Sequence, residues 1–134
     1  SLSAPLFAHQ ASLLGDGQVL ISSGVQIAFL FSLPIPGVTS DCKRYDPVSN
    51  QFVTTASMPS GRAYHGQIAL PNGDAMAVGG ATGDFVALNF SVHADTYIYD
   101  HLANSWSSAG FLSVGRAYPN LVDTGSEIAV LAGL

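Results

Sequence analysis

The chain has 134 residues, of which 48% are hydrophobic and 10% charged, with a formal net charge of −5. So apolar a composition excludes a disordered polymer. An acidic balance whose only cations besides histidine are Lys43, Arg44, Arg62 and Arg116 excludes the clustered basic surface that nucleic acid requires, so no nucleic-acid partner is expected.

Strand signals begin near residue 11. Residues 11–14, the turn Gly15-Asp16-Gly17 and the apolar Val19-Leu20-Ile21 predict a hairpin. Residues 25–40 follow, with Ile27, Phe29, Leu30, Phe31 and Ile35; this stretch reads as a long apolar loop, interrupted by prolines and too short to span a bilayer. Arg44-Tyr45, the turn Asp46-Pro47-Val48-Ser49-Asn50 and Gln51-Phe52-Val53 predict a third and a fourth strand.

The same order then recurs. Residues 67–70, the turn Pro71-Asn72-Gly73 and residues 75–78 predict a second hairpin. A longer connection, 81–94, leads to Thr96-Tyr97-Ile98-Tyr99, the turn His101-Leu102-Ala103-Asn104 and a strand around Trp106. Arg116-Ala117-Tyr118-Pro119, Asp123-Thr124-Gly125 and Val130-Leu131-Ala132-Gly133 start the series a third time. No segment reads as an amphipathic helix, so the chain is expected to be all-β.

His9 and His65 lie 56 residues apart, and Arg62 and Arg116 lie 54 apart. A repeat of that length is one supersecondary unit used again. Four antiparallel strands repeated radially make a propeller, because a lone four-stranded sheet leaves both faces uncovered. The expected units are a blade at 6–56, a blade at 62–109 and the first half of a further blade at 116–134. The remaining blades would come from a longer chain or from self-association. Gly24, Gly79 and Gly80 end second strands, where a Cβ would collide with the adjoining blade or where φ must be positive. Phe52 and Trp106 are expected to pack between blades. Asp46 and Asp100 follow Tyr45 and Tyr99 and are placed to accept from turn amides.

These residues resemble the kelch repeat: the double glycine after an apolar strand, Tyr99-Asp100 some twenty residues on, Trp106 seven residues later, and Gly61-Arg62-Ala63-Tyr64-His65 opening the second unit. The resemblance covers essentially the whole chain and points to kelch and galactose-oxidase-type propellers. The first unit departs from it with Leu6 at the Arg62 position, Ser23 before Gly24 and Phe52 for tryptophan. The third departs with Pro119 at the His65 position and Ala132 before Gly133.

The resemblance implies a kelch-type β-propeller fragment of four-stranded antiparallel blades, without catalysis, that binds a protein or peptide partner. In such a blade the inner strand starts on the face carrying the inter-blade and long inter-strand loops. Arg62, Arg116 and the loops with Phe29, Phe31, Phe85 and Phe90 are then the expected contacts. The competing expectation is that both arginines bond to carbonyls or a neighbouring aspartate and hold blades together, and that the loops pack on their own blades. The alternative function is part of a secreted galactose-oxidase-like or carbohydrate-binding propeller, with which few lysines and many small polar residues fit loosely.

No cofactor and no metal is expected. His65 reads as a buried hydrogen-bonding group, with His9 its repeat counterpart. The copper chemistry of galactose oxidase needs a Cys-linked Tyr, a second Tyr and two His ligands, and the spacing of Cys42 and Tyr45 gives no such set. A single cysteine cannot make an internal disulfide, and no Cys-His spacing suggests a zinc site. Ser1-Leu2-Ser3-Ala4-Pro5 does not read as a signal peptide, and Asn89-Phe90-Ser91 is a glycosylation sequon in a connection.

Overall fold

A computed structural model of the chain describes residues 6–84, 89–117, 119–125 and 127–131. The first repeat carries β1 (Leu6–Phe7), β2 (Gln10–Leu13), β3 (Val19–Ser22), β4 (Val25–Leu30), β5 (Leu33–Val38), β6 (Cys42–Asp46) and β7 (Gln51–Thr54). The second carries β8 (Gly66–Ala69), β9 (Ala75–Val78), β10 (Ala81–Asp84), β11 (Asn89–Val92), β12 (Asp95–Asp100) and β13 (Ser105–Phe111). The third contributes β14 (Asn120–Asp123) and β15 (Ile128–Leu131). There is no helix among the described residues, and so none long and apolar enough to cross a membrane.

The fold is all-β and of the propeller type. Two four-stranded antiparallel sheets run in the orders β2-β3-β6-β7 and β8-β9-β12-β13, followed by the pair β14-β15. The innermost strands neighbour one another, β2 beside β8 and β8 beside β14. The first two sheets close on a core of Leu14, Leu20, Cys42 and Met58 against Ala75, Ala77 and Tyr99, with Tyr97 and Trp106 at its margin. Large side chains on one side meet alanines on the other, which is how facing layers interdigitate.

Aromatic and turn residues lock the outer strands. The Trp106 and Tyr99 rings are 5.2 Å apart, and Tyr45 and Phe52 are 5.0 Å apart. Trp106 Nε1 donates to Ala56 O at 3.1 Å, tying the outer edge of the second sheet to the segment after the first. Asn104 Oδ1 accepts from Tyr99 Oη at 2.7 Å and from Ala56 N at 3.0 Å. Asp46 Oδ1 accepts from Val48 N at 2.9 Å, and Asp100 Oδ1 from Leu102 N at 2.9 Å and Ala103 N at 3.0 Å.

The second strands of the first two repeats, β3 and β9, each end in a left-handed corner. Ser23 and Gly24 have φ of 50° and 106°, and Gly79 and Gly80 have 65° and 100°. Gly24 N donates to Arg62 O at 2.7 Å, and Gly80 N to Arg116 O at 2.7 Å. A Cβ on Gly79 would clash with Arg116 O, and one on Gly80 would come within 2.9 Å of Ala63 O and of the His65 Cβ. Ser23 occupies the left-handed position that glycine takes in the second repeat.

The two long connections are not loops. Residues 25–38 form the hairpin β4–β5, and residues 81–92 contain the antiparallel pair β10–β11. The prolines that argued against a strand at 33–38 sit on β5, at the edge of the sheet ordered β1-β4-β5. An edge strand can face its missing N–H positions away from its partner and lose no ladder bond. The turn at Phe31 and Ser32, with φ of 50° and 65°, is the primed type that matches strand twist, formed without Asn-Gly.

Gly17, with φ of 87°, has nothing within 4 Å of an added Cβ. Gly17→Ala therefore carries only the left-handed backbone penalty, about 1 kcal/mol. Gly79→Ala adds a backbone collision and is expected to cost roughly 3 kcal/mol or more. Urea unfolding of the two variants checks this ranking, and equal costs would contradict it.

Candidate functional site

The corners launch the hairpins. Phe7 pairs with Val25 and Leu6 with Gln26, so β1 continues into the hairpin sheet. In the second repeat Ala63 bridges Ala81, each amide bonding the other's carbonyl at 2.8–2.9 Å. Ala8 and Tyr64, the next residues along, both have φ of 56° and turn the chain into the innermost strands. Strands β5 and β10 contact each other, so the two hairpins stand side by side.

Their outer residues are apolar and exposed. Phe31 is 92% exposed at the tip, Leu33 66% and Phe90 44%. Residues 25–38 contain no charged side chain. The Phe29 side chain and Phe85, both expected as contacts, lie outside the described residues.

The arginines behave differently from surface contacts. Arg62 is 0% exposed. Its Nη1 donates to Asp95 Oδ1 at 2.7 Å and Gly79 O at 2.9 Å, and its Nη2 to Ser60 Oγ at 2.6 Å and Asp95 Oδ2 at 3.0 Å. The Tyr97 ring lies 5.2 Å from the guanidinium carbon. This corrects the expectation that Arg62 is offered to a partner: a bidentate clamp on Asp95 and a cradle of carbonyl and hydroxyl acceptors satisfy it inside the second sheet. Burial alone would raise the Asp95 pKa, but bonding to Arg62 and its positive charge outweigh it and hold the carboxyl below its ordinary range. Arg116 is half-buried, and its backbone serves the next corner, with N donating to His93 O at 2.9 Å and O accepting from Gly80 N.

His65 is buried between the first two sheets. Its Nε2 lies 2.8 Å from Ser22 Oγ, which also bonds Gln67 Oε1. Gln67 Nε2 reaches Ser12 Oγ at 2.7 Å and Leu20 O at 3.3 Å. Burial first, then the charges of Arg62 and His9, push its pKa down to about 3. Arg44 makes a second inter-sheet clasp, with an ion pair to Asp16 and Nη1 donating to His101 O at 3.0 Å.

Asp95, Ser22, Gln67 and Arg44 were not singled out from the sequence. Asp95 is 33 residues from Arg62 and Ser22 is 43 from His65, distances at which local patterning carries no signal. Cys42 is buried and its Sγ donates to Ser40 O at 3.6 Å; burial pushes the thiol pKa up. Cys42 and Tyr45 are three apart on β6 and so point to opposite faces. Asp74, Asp100 and His101 offer ligand atoms within 4.8 Å of one another. Those atoms already serve the turn: His101 Nδ1 donates to Asp74 Oδ1 at 2.6 Å, and Asp100 holds the amides of 102 and 103.

Arg62→Ala leaves Asp95 and the Gly79 carbonyl without their donor and is expected to destabilise the fold by about 3–5 kcal/mol. A variant that stays as stable as the parent and loses only partner binding would return Arg62 to the interface. The unfolded His65 ring titrates near 6.5. Its lowered folded value means that stability present above about pH 6.5 is lost as pH falls toward about 3. His65→Gln should flatten that slope in urea midpoints measured across the window.

No protein-family model matches the chain, and no curated protein does. Among solved structures, the chain is similar in fold to that reported as "Structure of YjhT", with a TM-score of 0.74 and 20% identity. The match covers 96% of this chain and 45% of that one, so the chain spans about half the length of its structural neighbour.

Proposed function

We propose that this chain is a kelch-type propeller segment that acts as a non-catalytic protein-binding scaffold, with the hairpins at 25–38 and 81–92 as its contact elements. The observation that carries this reading is Phe31. It is a bulky apolar residue held at φ 50°, with 92% of its surface in water. Left-handed backbone costs a non-glycine residue about 1–2 kcal/mol, and an exposed ring gains nothing inside the chain. Strain of this kind collects at functional positions, where the surrounding structure enforces it.

Leu33, Phe90 and Val92 extend the exposed apolar surface across both hairpins. A rim of aromatic and aliphatic side chains suits burial against an apolar patch on another polypeptide. The hairpins are rigidly paired at their bases, so little ordering is left to be lost on association. The double glycine, Tyr-Asp and Trp spacing supports the kelch assignment within the propeller fold.

A photo-crosslinking residue placed at 31 or 90 in the protein that carries this chain is expected to label a partner polypeptide. The same residue at Leu102, an exposed apolar turn position away from the hairpins, is expected not to. Phe31→Asp should weaken the captured complex by about tenfold or more. Equal labelling at 31 and 102 would remove the hairpins as the contact surface.

A further inference from the structure

A cavity of about 390 Å³ at the base of the two hairpins is lined by Ala8, Gln10, Tyr64, His65, Pro119 and Asn120. The unpartnered nitrogen of His65 is sealed from solvent, so nothing held in that cavity meets it. The other ends of β3 and β9 differ. There the β2–β3 and β8–β9 turns dock backbone to backbone, with Gly15 N donating to Gly73 O at 3.0 Å. A Cβ on Gly15 would come within 2.8 Å of Gly73 Cα, so only glycine permits this approach. The two turns border a recess of about 400 Å³ with apolar walls of Leu13, Leu14, Ala69, Leu70 and Pro71. His101 lines it beside the glycines.

The hydrogen on His101 follows from its neighbours. Asp74 Oδ1 lies 2.6 Å from His101 Nδ1 and 3.1 Å from His101 N. Burial alone would raise the Asp74 pKa, but bonding to His101 outweighs it and holds the carboxyl below its ordinary range. An ionised carboxylate only accepts, so Nδ1 carries the hydrogen. In the neutral ring, Nε2 is then a bare lone pair, and the carboxylate behind the ring makes it a better base. The His101 side chain is 10% exposed, and its Nε2 has no partner among the described residues. Unlike the sealed nitrogens of His9 and His65, it is open to solvent. Its direction is fixed too. Nε2 lies 3.0 Å from the place of a Cβ on Gly73 and 3.4 Å from that of a Cβ on Gly15, and both glycines line the recess.

We propose that this recess binds a small neutral aromatic molecule whose one O–H or N–H donates to His101 Nε2, as a phenol or an indole would. The walls offer hydrocarbon, and the glycines put no side chain between them, which suits a flat ring. No lining residue is an aspartate, glutamate, lysine or arginine. An anion would meet a lone pair backed by a carboxylate, with no cation in the lining. A metal ion would find one imidazole and no anionic ligand, since Asp74 is committed to His101 and to Asn72. A polyol would leave hydroxyls unmatched, because the Asn72 amide is engaged at both ends with Asp74. One acceptor in an apolar recess of this volume is the pattern of a small-molecule site. The recess is separate from the hairpins, so it stands whether or not they bind a polypeptide.

The test is histidine-ring ¹⁵N–¹H NMR on the protein that carries this chain. The probes are p-cresol and indole as donors, the methyl ether of p-cresol as the same ring without a donor, and p-toluate as an anion. The expected spectrum shows His101 as the Nδ1–H tautomer. At least one donor probe should move its Nε2 resonance saturably, and the methyl ether should bind about fivefold more weakly than p-cresol, the loss of one ordinary hydrogen bond. Leu13 is 60% exposed, so Leu13→Asp charges the wall without disturbing the core, and it should weaken the donor probes by about fivefold or more. An Nε2–H tautomer would overturn the proposal. So would silence from both donor probes, a methyl ether that binds as well as p-cresol, tighter binding of p-toluate, or a response indifferent to Leu13→Asp.

Discussion

The hydrogen bond from a corner glycine amide to the arginine carbonyl of the following repeat is the constraint on which the rest depends. It appears twice at the same length, Gly24 N to Arg62 O and Gly80 N to Arg116 O, each 2.7 Å. The amide can reach that carbonyl only if the chain turns left-handed at the end of the second strand. At Gly79 it must also do so without a side chain. Once the corner is made, three things follow from its position. The next residues leave as a hairpin, the following repeat begins its innermost strand, and the Arg62 side chain folds back beneath the corner onto Gly79 O and Asp95. One backbone contact thus sets the spacing between sheets and the place of the hairpins and the cavity.

The boundary between the first two sheets is polar as well as apolar. Beside the Leu20, Met58 and Tyr99 packing runs a chain of bonds from Leu20 O through Gln67 and Ser22 to His65. Such a chain adds little net stability over well-packed hydrocarbon, but its bonds are made only when the sheets sit in one relation, so it fixes how they dock. At the repeat positions of Ser22 and His65, the next boundary has Val78 and Pro119. The hydroxyl and the imidazole change together to apolar residues, which spares either from being buried alone. The Arg62–Asp95 pair follows the same logic: it is fully bonded, so its desolvation is offset, and breaking it would strand a buried charge.

These constraints leave the corner region with two surfaces of different character. The hairpins present exposed apolar side chains, with Phe31 held in water at a left-handed backbone position. The cavity at their base is lined by Ala8, Gln10, Tyr64, His65, Pro119 and Asn120. The hairpins are paired strands rather than unsupported loops, and rigidity of that kind lowers the ordering cost of any association.

Much of this was legible in the chain itself. Strand positions, the tight turns, the repeat and the need for glycine at the corner follow from patterns within a few residues, because side-chain alternation and turn chemistry are local. Asp46 and Asp100 could be assigned to turn amides for the same reason. The hairpin at 25–38 could not, since Pro34 and Pro36 argue against a strand until β5 is known to lie at a sheet edge. Nor could the fate of Arg62, whose partner stands 33 residues away, or the bond of His65 to a serine 43 residues away. Local sequence determined which segments become strands; only the tertiary structure decided which polar groups meet, because those pairings form when the corner brings one sheet against the next.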